Sequence, residues 1–152
     1  MKPSPKVLLA GAVLAAVAVV GACSSSLSDL VGVSAHNVYI TPGSPQPAAG
    51  GDSVYFSISN SGVAPAYLAR CGDAPALDFQ VYTNGAWVEQ GPAVACPEPS
   101  SPGPIELDPG SPIVLAFLYA NPGRYRVGIS TATKADLSDA DMAWTIPFDI
   151  TP

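Results

Sequence analysis

Four stretches of this chain alternate apolar and polar side chains with a period of two. In residues 52–60, Val54, Phe56 and Ile58 share one face, and Ser53, Ser57 and Ser59 share the other. In residues 77–83, Leu77, Phe79 and Val81 oppose Asp78, Gln80 and Tyr82. In residues 124–130, Tyr125, Val127 and Ile129 oppose Arg124, Arg126 and Ser130. In residues 144–150, Trp144, Ile146, Phe148 and Ile150 oppose Thr145, Pro147 and Asp149. Successive side chains of a strand point to opposite faces, so each stretch reads as a strand with one face on a core and one in water. Residues 113–119 are apolar on both faces, which predicts a central strand or one covered on its second side. Residues 34–40, 66–70 and 87–89 are weaker strand candidates. Pro147 removes a ladder donor, so the last strand is expected at a sheet edge.

Turn signals separate these runs. They are Thr41-Pro42-Gly43-Ser44-Pro45, Asn60-Ser61-Gly62, Asn84-Gly85, Asp108-Pro109-Gly110 and Asn121-Pro122-Gly123. Asn84-Gly85 is a two-residue hairpin signal, because both positions tolerate positive φ. Short strands with this spacing predict an all-β, antiparallel β-sandwich of seven to nine strands. The 17 Pro and 14 Gly exclude a bundle of long helices. A hydrophobic fraction of 48% with only 12% charged residues excludes a disordered chain.

Two segments are similar to immunoglobulin-like domains. Asn121-Pro122-Gly123-Arg124-Tyr125-Arg126-Val127 resembles the turn and strand that carry a tyrosine corner. That resemblance implies a buried Tyr125 ring, with its hydroxyl bonded to upstream backbone. Ile105-Glu106-Leu107-Asp108-Pro109-Gly110-Ser111 resembles the strand and turn preceding a core strand in bacterial members. The resemblance covers about residues 33–151, and the sandwich domain is assigned to 33–152. The chain departs from antibody domains where Val127 stands in place of a cysteine two residues after the corner tyrosine.

The first residues follow a different pattern. Lys2 and Lys6 precede an uncharged run of Val, Leu, Ala and Gly over residues 7–22. A basic start, a short apolar stretch and small residues at its end describe a secretory signal peptide. The run is short for a membrane-spanning helix, which needs about 20 residues. It ends Val20-Gly21-Ala22-Cys23, which resembles the lipobox of bacterial lipoproteins. The resemblance implies removal of residues 1–22 and a lipid on Cys23. The Ser-rich segment 23–32 would then be a flexible tether. The competing reading is ordinary cleavage after Ala22, which leaves Cys23 as a free thiol. Three cysteines in an exported chain favour lipidation, since Cys71 and Cys96 then remain as an even pair.

Cys71 and Cys96 are expected to form a disulfide closing about 26 residues, worth roughly 3–3.5 kcal/mol on the chain-entropy model. The alternatives are a redox pair, which favours Cys-x-x-Cys spacing, and a zinc site, which needs about four N or S ligands.

Charge then narrows the function. The formal net charge is −6, and loss of Lys2 and Lys6 leaves four basic against twelve acidic residues, a net −8. Nucleic acid is not an expected partner, because phosphate contacts need a basic patch. Catalytic groups are sparse. The single histidine, His36, is placed in a candidate first strand, and Gly-x-Ser-x-Gly is absent. A blue-copper site needs two histidines and a free cysteine thiolate, which argues against copper. Asp136, Asp139 and Asp141 cluster between two strands without the Asp-x-Asp-x-Asp-Gly calcium loop. They are expected in a solvated loop or single helical turn, where Ser138 and Asp141 resemble a capping box. Tyr55, Tyr82, Trp87 and Tyr119 are candidate surface aromatics, weighed against cross-strand packing, and Trp144 is expected in the core.

No catalytic, cofactor-binding or metal-binding residue is assigned, and no cofactor is expected. The expectation is a non-enzymatic binding or interaction module, held to a bacterial membrane through lipid on Cys23. Its place would be the cell membrane or outer membrane, with the domain facing the periplasm or the outside. Its partner would be an unidentified envelope protein or ligand. The chain is also similar to small bacterial immunoglobulin-like domains that inhibit proteases by presenting a loop. On that alternative the disulfide-adjacent loop with Pro97, Glu98, Pro99, Pro102 and Pro104 is the interacting segment.

Overall fold

The computed structural model describes residues 32–43, 48–51, 53–90, 96–118 and 121–152. The expected signal peptide, Cys23, all of the tether but its last residue, and Tyr119 lie outside the described residues. The strands are β1 (Val38–Pro42), β2 (Ala48–Ala49), β3 (Ser53–Asn60), β4 (Ala66–Leu68), β5 (Arg70–Cys71), β6 (Ala74–Pro75) and β7 (Leu77–Thr83). They continue with β8 (Ala86–Gln90), β9 (Ile105–Leu107), β10 (Ile113–Leu118), β11 (Gly123–Ala132), β12 (Asp141–Trp144) and β13 (Phe148–Thr151). The described residues contain no helix. The fold is all-β, with two antiparallel sheets packed as a sandwich; only β2 and β13 pair in parallel.

The smaller sheet has the order β1-β3-β10. The larger is built around β11. One side of β11 carries β12 along Gly128–Thr131 and β13 along Gly123–Tyr125. The other carries β7 along Tyr125–Ile129 and β4 along Thr131–Ala132. Thus β4 and β7 form one broken strand, and β12 and β13 another. Between β4 and β7 the chain leaves the sheet as the small β5–β6 hairpin, closed at its base by Ala76 N–H donating to Ala69 O at 2.8 Å.

The expected inward faces of β3 and β11 are buried, as are Phe148 and Ile150 of β13, and Leu77, Phe79 and Val81 of β7 pack against them half-buried. Val54, Phe56 and Ile58 of the smaller sheet meet Tyr125, Val127, Ile129, Phe148 and Ile150 of the larger. Phe56 joins the two layers, with its ring centroid 5.5 Å from that of Phe148. On its own sheet, Phe117 lies 5.0 Å from the Phe79 ring across the sandwich. Each such side chain contributes about 1.5–3 kcal/mol through removal from water. Asn84 and Gly85 both adopt positive φ, as a type I′ hairpin requires, and set Tyr82 opposite Trp87.

Asn60 is a buried polar residue on the core face of β3. Its Nδ2 donates to Leu107 O at 3.0 Å and Ala64 O at 2.8 Å, and its Oδ1 accepts from Gly62 N at 2.8 Å. The amide thereby satisfies its burial cost while shaping the turn that follows.

Four sequence expectations are corrected. The 34–40 strand begins only at Val38, because His36 and Asn37 turn the chain with φ of 51° and 62°. The 113–119 strand is not central: among the described residues β10 pairs with β3 alone, and Val114, Ala116 and Leu118 are exposed. The 144–150 strand is broken, and its alternation changes there. Thr145 is buried and Ile146 is 45% exposed. Pro147 lies in this gap, and β13 is flanked on its outer side by β2. Finally, Trp144 lies over Arg126 and Gly128 on the outer face of the larger sheet, outside the core.

Candidate functional site

The β5–β6 hairpin and the Pro-rich loop 97–104 form one unit. Cys71 and Cys96 are disulfide-bonded, with Cα atoms 4.9 Å apart. Gly72 follows with φ of 61°, and a Cβ placed there would come within 2.7 Å of Pro97 Cγ. Glycine is thus required both for the backbone conformation and for the approach of the proline ring. Asp73 then reaches across the hairpin tip. Its Oδ1 accepts from both the backbone N–H and the hydroxyl of Ser100, each at 2.7 Å. Arg70 Nη1 lies 3.6 Å from the same carboxylate, and Arg70 Nη2 donates to Pro104 O at 3.4 Å.

The loop is therefore held at its start by the disulfide, in its middle by Asp73, and at its end by Arg70. It remains exposed from Pro97 through Gly103, while Pro104 is half-buried. Pro97, Pro99, Pro102 and Pro104 each fix their own φ, further narrowing the loop's conformations. The hydroxyl bond from Ser100, then its backbone bond, then the Arg70 charge hold the Asp73 carboxyl below the usual carboxylate range. The disulfide matches the sequence expectation. The Asp73–Ser100 and Arg70–Pro104 contacts were not expected, since nothing local in the sequence pairs residues this far apart.

A second cluster lies on the outer face of the larger sheet. The Arg126 guanidinium carbon is 4.5 Å from the ring centroids of both Trp87 and Trp144. Its Nε donates to Gln80 Oε1 at 2.8 Å, and Tyr82 meets Trp87 edge to face at 5.2 Å. Of the candidate surface aromatics, Tyr82 and Trp87 thus pack across strands, while Tyr55 is 53% exposed on β3. The cation between two indoles is a stabilising arrangement in its own right.

His36 donates from Nε2 to the carbonyl oxygen of Asp139 at 2.9 Å. Asp139 Oδ2 accepts from the Thr133 hydroxyl and from Thr133 N, and Asp139 Oδ1 accepts from Lys134 N. These bonds, the Thr133 hydroxyl first, lower the Asp139 pKa. Its oxygens thus organise their own loop. Asp136 Oδ1 accepts from Ser138 N, so the expected capping box does not form. No group of three His, Cys, Asp or Glu suited to a metal occurs among the described residues.

A cavity of about 250 Å³ lies where residue 32 joins the domain, lined by Val33, Tyr39, Ile40, Pro42, Trp144 and Ile146 among others. Its lining is predominantly apolar and offers no carboxylate or imidazole for acid–base chemistry.

No known family model matches this chain, and no curated protein matches it in sequence.

Proposed function

We propose that the chain is a non-enzymatic binding module of a bacterial envelope, tethered by lipid on Cys23 and presenting the loop 97–104 to a partner. The supporting observation is the loop itself: it is exposed, yet held by a disulfide, a carboxylate and a guanidinium along its length. Binding by a loop already held in one conformation avoids the ordering cost that weakens flexible segments. On this reading residues 1–22 are a removed signal peptide, 23–32 a tether and 33–152 an immunoglobulin-like domain. The Tyr125 hydroxyl, which donates to Asn121 O at 3.0 Å, supports the immunoglobulin-like assignment.

The test is capture of partners from envelope extract by the full chain, identified by mass spectrometry. The same capture with Asp73→Ala/Ser100→Ala reads the loop. Loss of the captured protein in the variant is expected; unchanged capture removes the loop from the proposal. Fatty-acid labelling lost in Cys23→Ala is expected for the anchor, and unchanged labelling refutes it.

A second reading, protease inhibition by the same loop, is favoured by its attachment to the disulfide. Inhibitory loops are typically exposed and rigid at once. A protease panel at micromolar concentration decides it, with no inhibition sinking this reading alone.

A further inference from the structure

The β10 edge has an unusual combination of properties. Ile113-Val114-Leu115-Ala116-Phe117-Leu118 contains no charge, proline or glycine. Sheet edges are ordinarily protected from other chains by such residues or by shortness. The other outer strands have that protection: β1 ends in Pro42, β8 carries Glu89, β9 is three residues with Glu106, and β2 is two residues. Among the described strands, only β10 offers a six-residue apolar edge without such protection.

The direction of its free backbone groups follows from the hydrogen bonds of β3. Tyr55 O accepts from Gly43 N on the β1 side, and Asn60 O accepts from Gly110 N on the opposite side. Successive residues of an antiparallel strand direct their backbone groups to opposite edges. Val54, Phe56 and Ile58 therefore face β10. Their register partners Phe117, Leu115 and Ile113 face β3 in return. Val114, Ala116 and Leu118 direct N–H and C=O away from β3, where no described residue pairs with them. Their side chains are also outward, with Val114 63% and Leu118 70% exposed.

We infer that β10 pairs antiparallel with β10 of a second copy of this chain, joining two three-stranded sheets into one. Two features select a second copy. An antiparallel pair of identical strands is self-complementary under a two-fold axis. Moreover, β1, β3 and β10 carry no charged residue, in a chain of net charge −6. Like-charged copies approach best through that sheet, because the acidic strand residues Asp78, Glu89, Glu106, Asp141 and Asp149, in excess over Arg124 and Arg126, lie on the other one.

The register is set by the same geometry. Outward-directed residues must face outward-directed residues, on the same side of the joined sheet. Placing Ala116 opposite its own copy satisfies both conditions and engages all three free positions. Val114 then meets Leu118 of the second copy, and Leu118 meets its Val114. Ala116, the smallest of the three, stands at the axis.

The test uses the full chain with Ala116→Cys, mild oxidation and a non-reducing gel. Hydrogen-bonded antiparallel partners have Cα atoms about 5.5 Å apart, within the disulfide range of about 4.4–6.8 Å. Val63→Cys, at a fully exposed site outside β10, is the control for random collision. A dimer band for Ala116→Cys, absent for Val63→Cys and lost in Val114→Lys/Ala116→Cys, is expected. The Val114→Lys chain should keep a single cooperative melting transition, showing that it still folds, while its mass by light scattering falls from dimer to monomer. Equal cross-linking at both positions, no cross-linking, or a monomeric wild type overturns the inference. A cross-linked product with a different protein overturns the second copy in favour of another strand.

Discussion

The indole of Trp144 rests against the backbone of Gly128 so closely that a Cβ at 128 would meet its Cζ3 at 2.6 Å and its Cε3 at 2.7 Å. The two residues face each other across the β11–β12 ladder. This contact places the ring where it also covers Arg126. Gly128→Ala is expected to displace the ring and destabilise the domain by about 1–3 kcal/mol, the usual cost of overpacking. Denaturant unfolding measures the loss, and a shift in tryptophan emission reports the displaced ring.

Thr145 completes the ladder at the gap between β12 and β13. Its N–H donates to Val127 O at 2.8 Å, and its Oγ1 accepts from Val127 N at 3.0 Å. The hydroxyl thus stands where a strand carbonyl would. Thr145→Val keeps the shape but leaves a buried N–H without its acceptor, so a loss of about 1–3 kcal/mol is expected in thermal or urea unfolding. Thr145→Ser, which retains the hydroxyl, should lose less.

The disulfide restrains the unfolded chain over a sequence separation of 25. Cys71→Ser/Cys96→Ser is expected to cost roughly 3 kcal/mol in urea unfolding. Proteolysis of the variant should begin within the loop 97–104.

Asp73 links pH to loop geometry. Its folded pKa lies below the ordinary 3.8 because Ser100 and Arg70 favour the carboxylate. The clamp is therefore fully present above the ordinary value and is lost as pH falls through the folded one. The Ser100 amide resonance should titrate with a midpoint below 3.8. Ser100→Ala should raise the midpoint of Asp73, read from its own side-chain resonance, more than Arg70→Ala does.

Tyr125 links stability to alkaline pH with the opposite sign. Burial raises its phenol above the ordinary 10.0. The unfolded chain then releases the proton first, so stability is full below about pH 10 and falls as pH rises toward the folded value. Tyr125→Phe should remove this fall, at the cost of the hydrogen bond to Asn121 O. Unfolding curves across alkaline pH measure both.

Local chemistry was legible from the chain alone. Alternation at period two identified the buried faces of β3, β7 and β11, since burial on one side is written directly into side-chain type. Asn84-Gly85 announced its hairpin, because few other dipeptides accept two positive φ values. The disulfide followed from counting cysteines. Much of the candidate site was not legible. Asp73 and Ser100 are 27 residues apart, and each alone is an ordinary polar turn residue.

The same boundary explains the corrected strands. Apolar residues on both faces of β10 said that both faces avoid water, but not whether a neighbour was present. Strand order decides that, and it left β10 at an edge. Residues 144–150 carried a regular pattern, yet Thr145 turned inward because its hydroxyl reached the Val127 N–H. The sequence by itself determined the core-facing side chains of β3, β7 and β11, the Asn84-Gly85 turn and which cysteines pair, because those depend on side-chain type and near neighbours. Tertiary structure alone decided strand order, the break in the last strand and the clamp on the Pro-rich loop. Each of those is a contact between distant segments, and its energy exists only once the two sheets have brought them together.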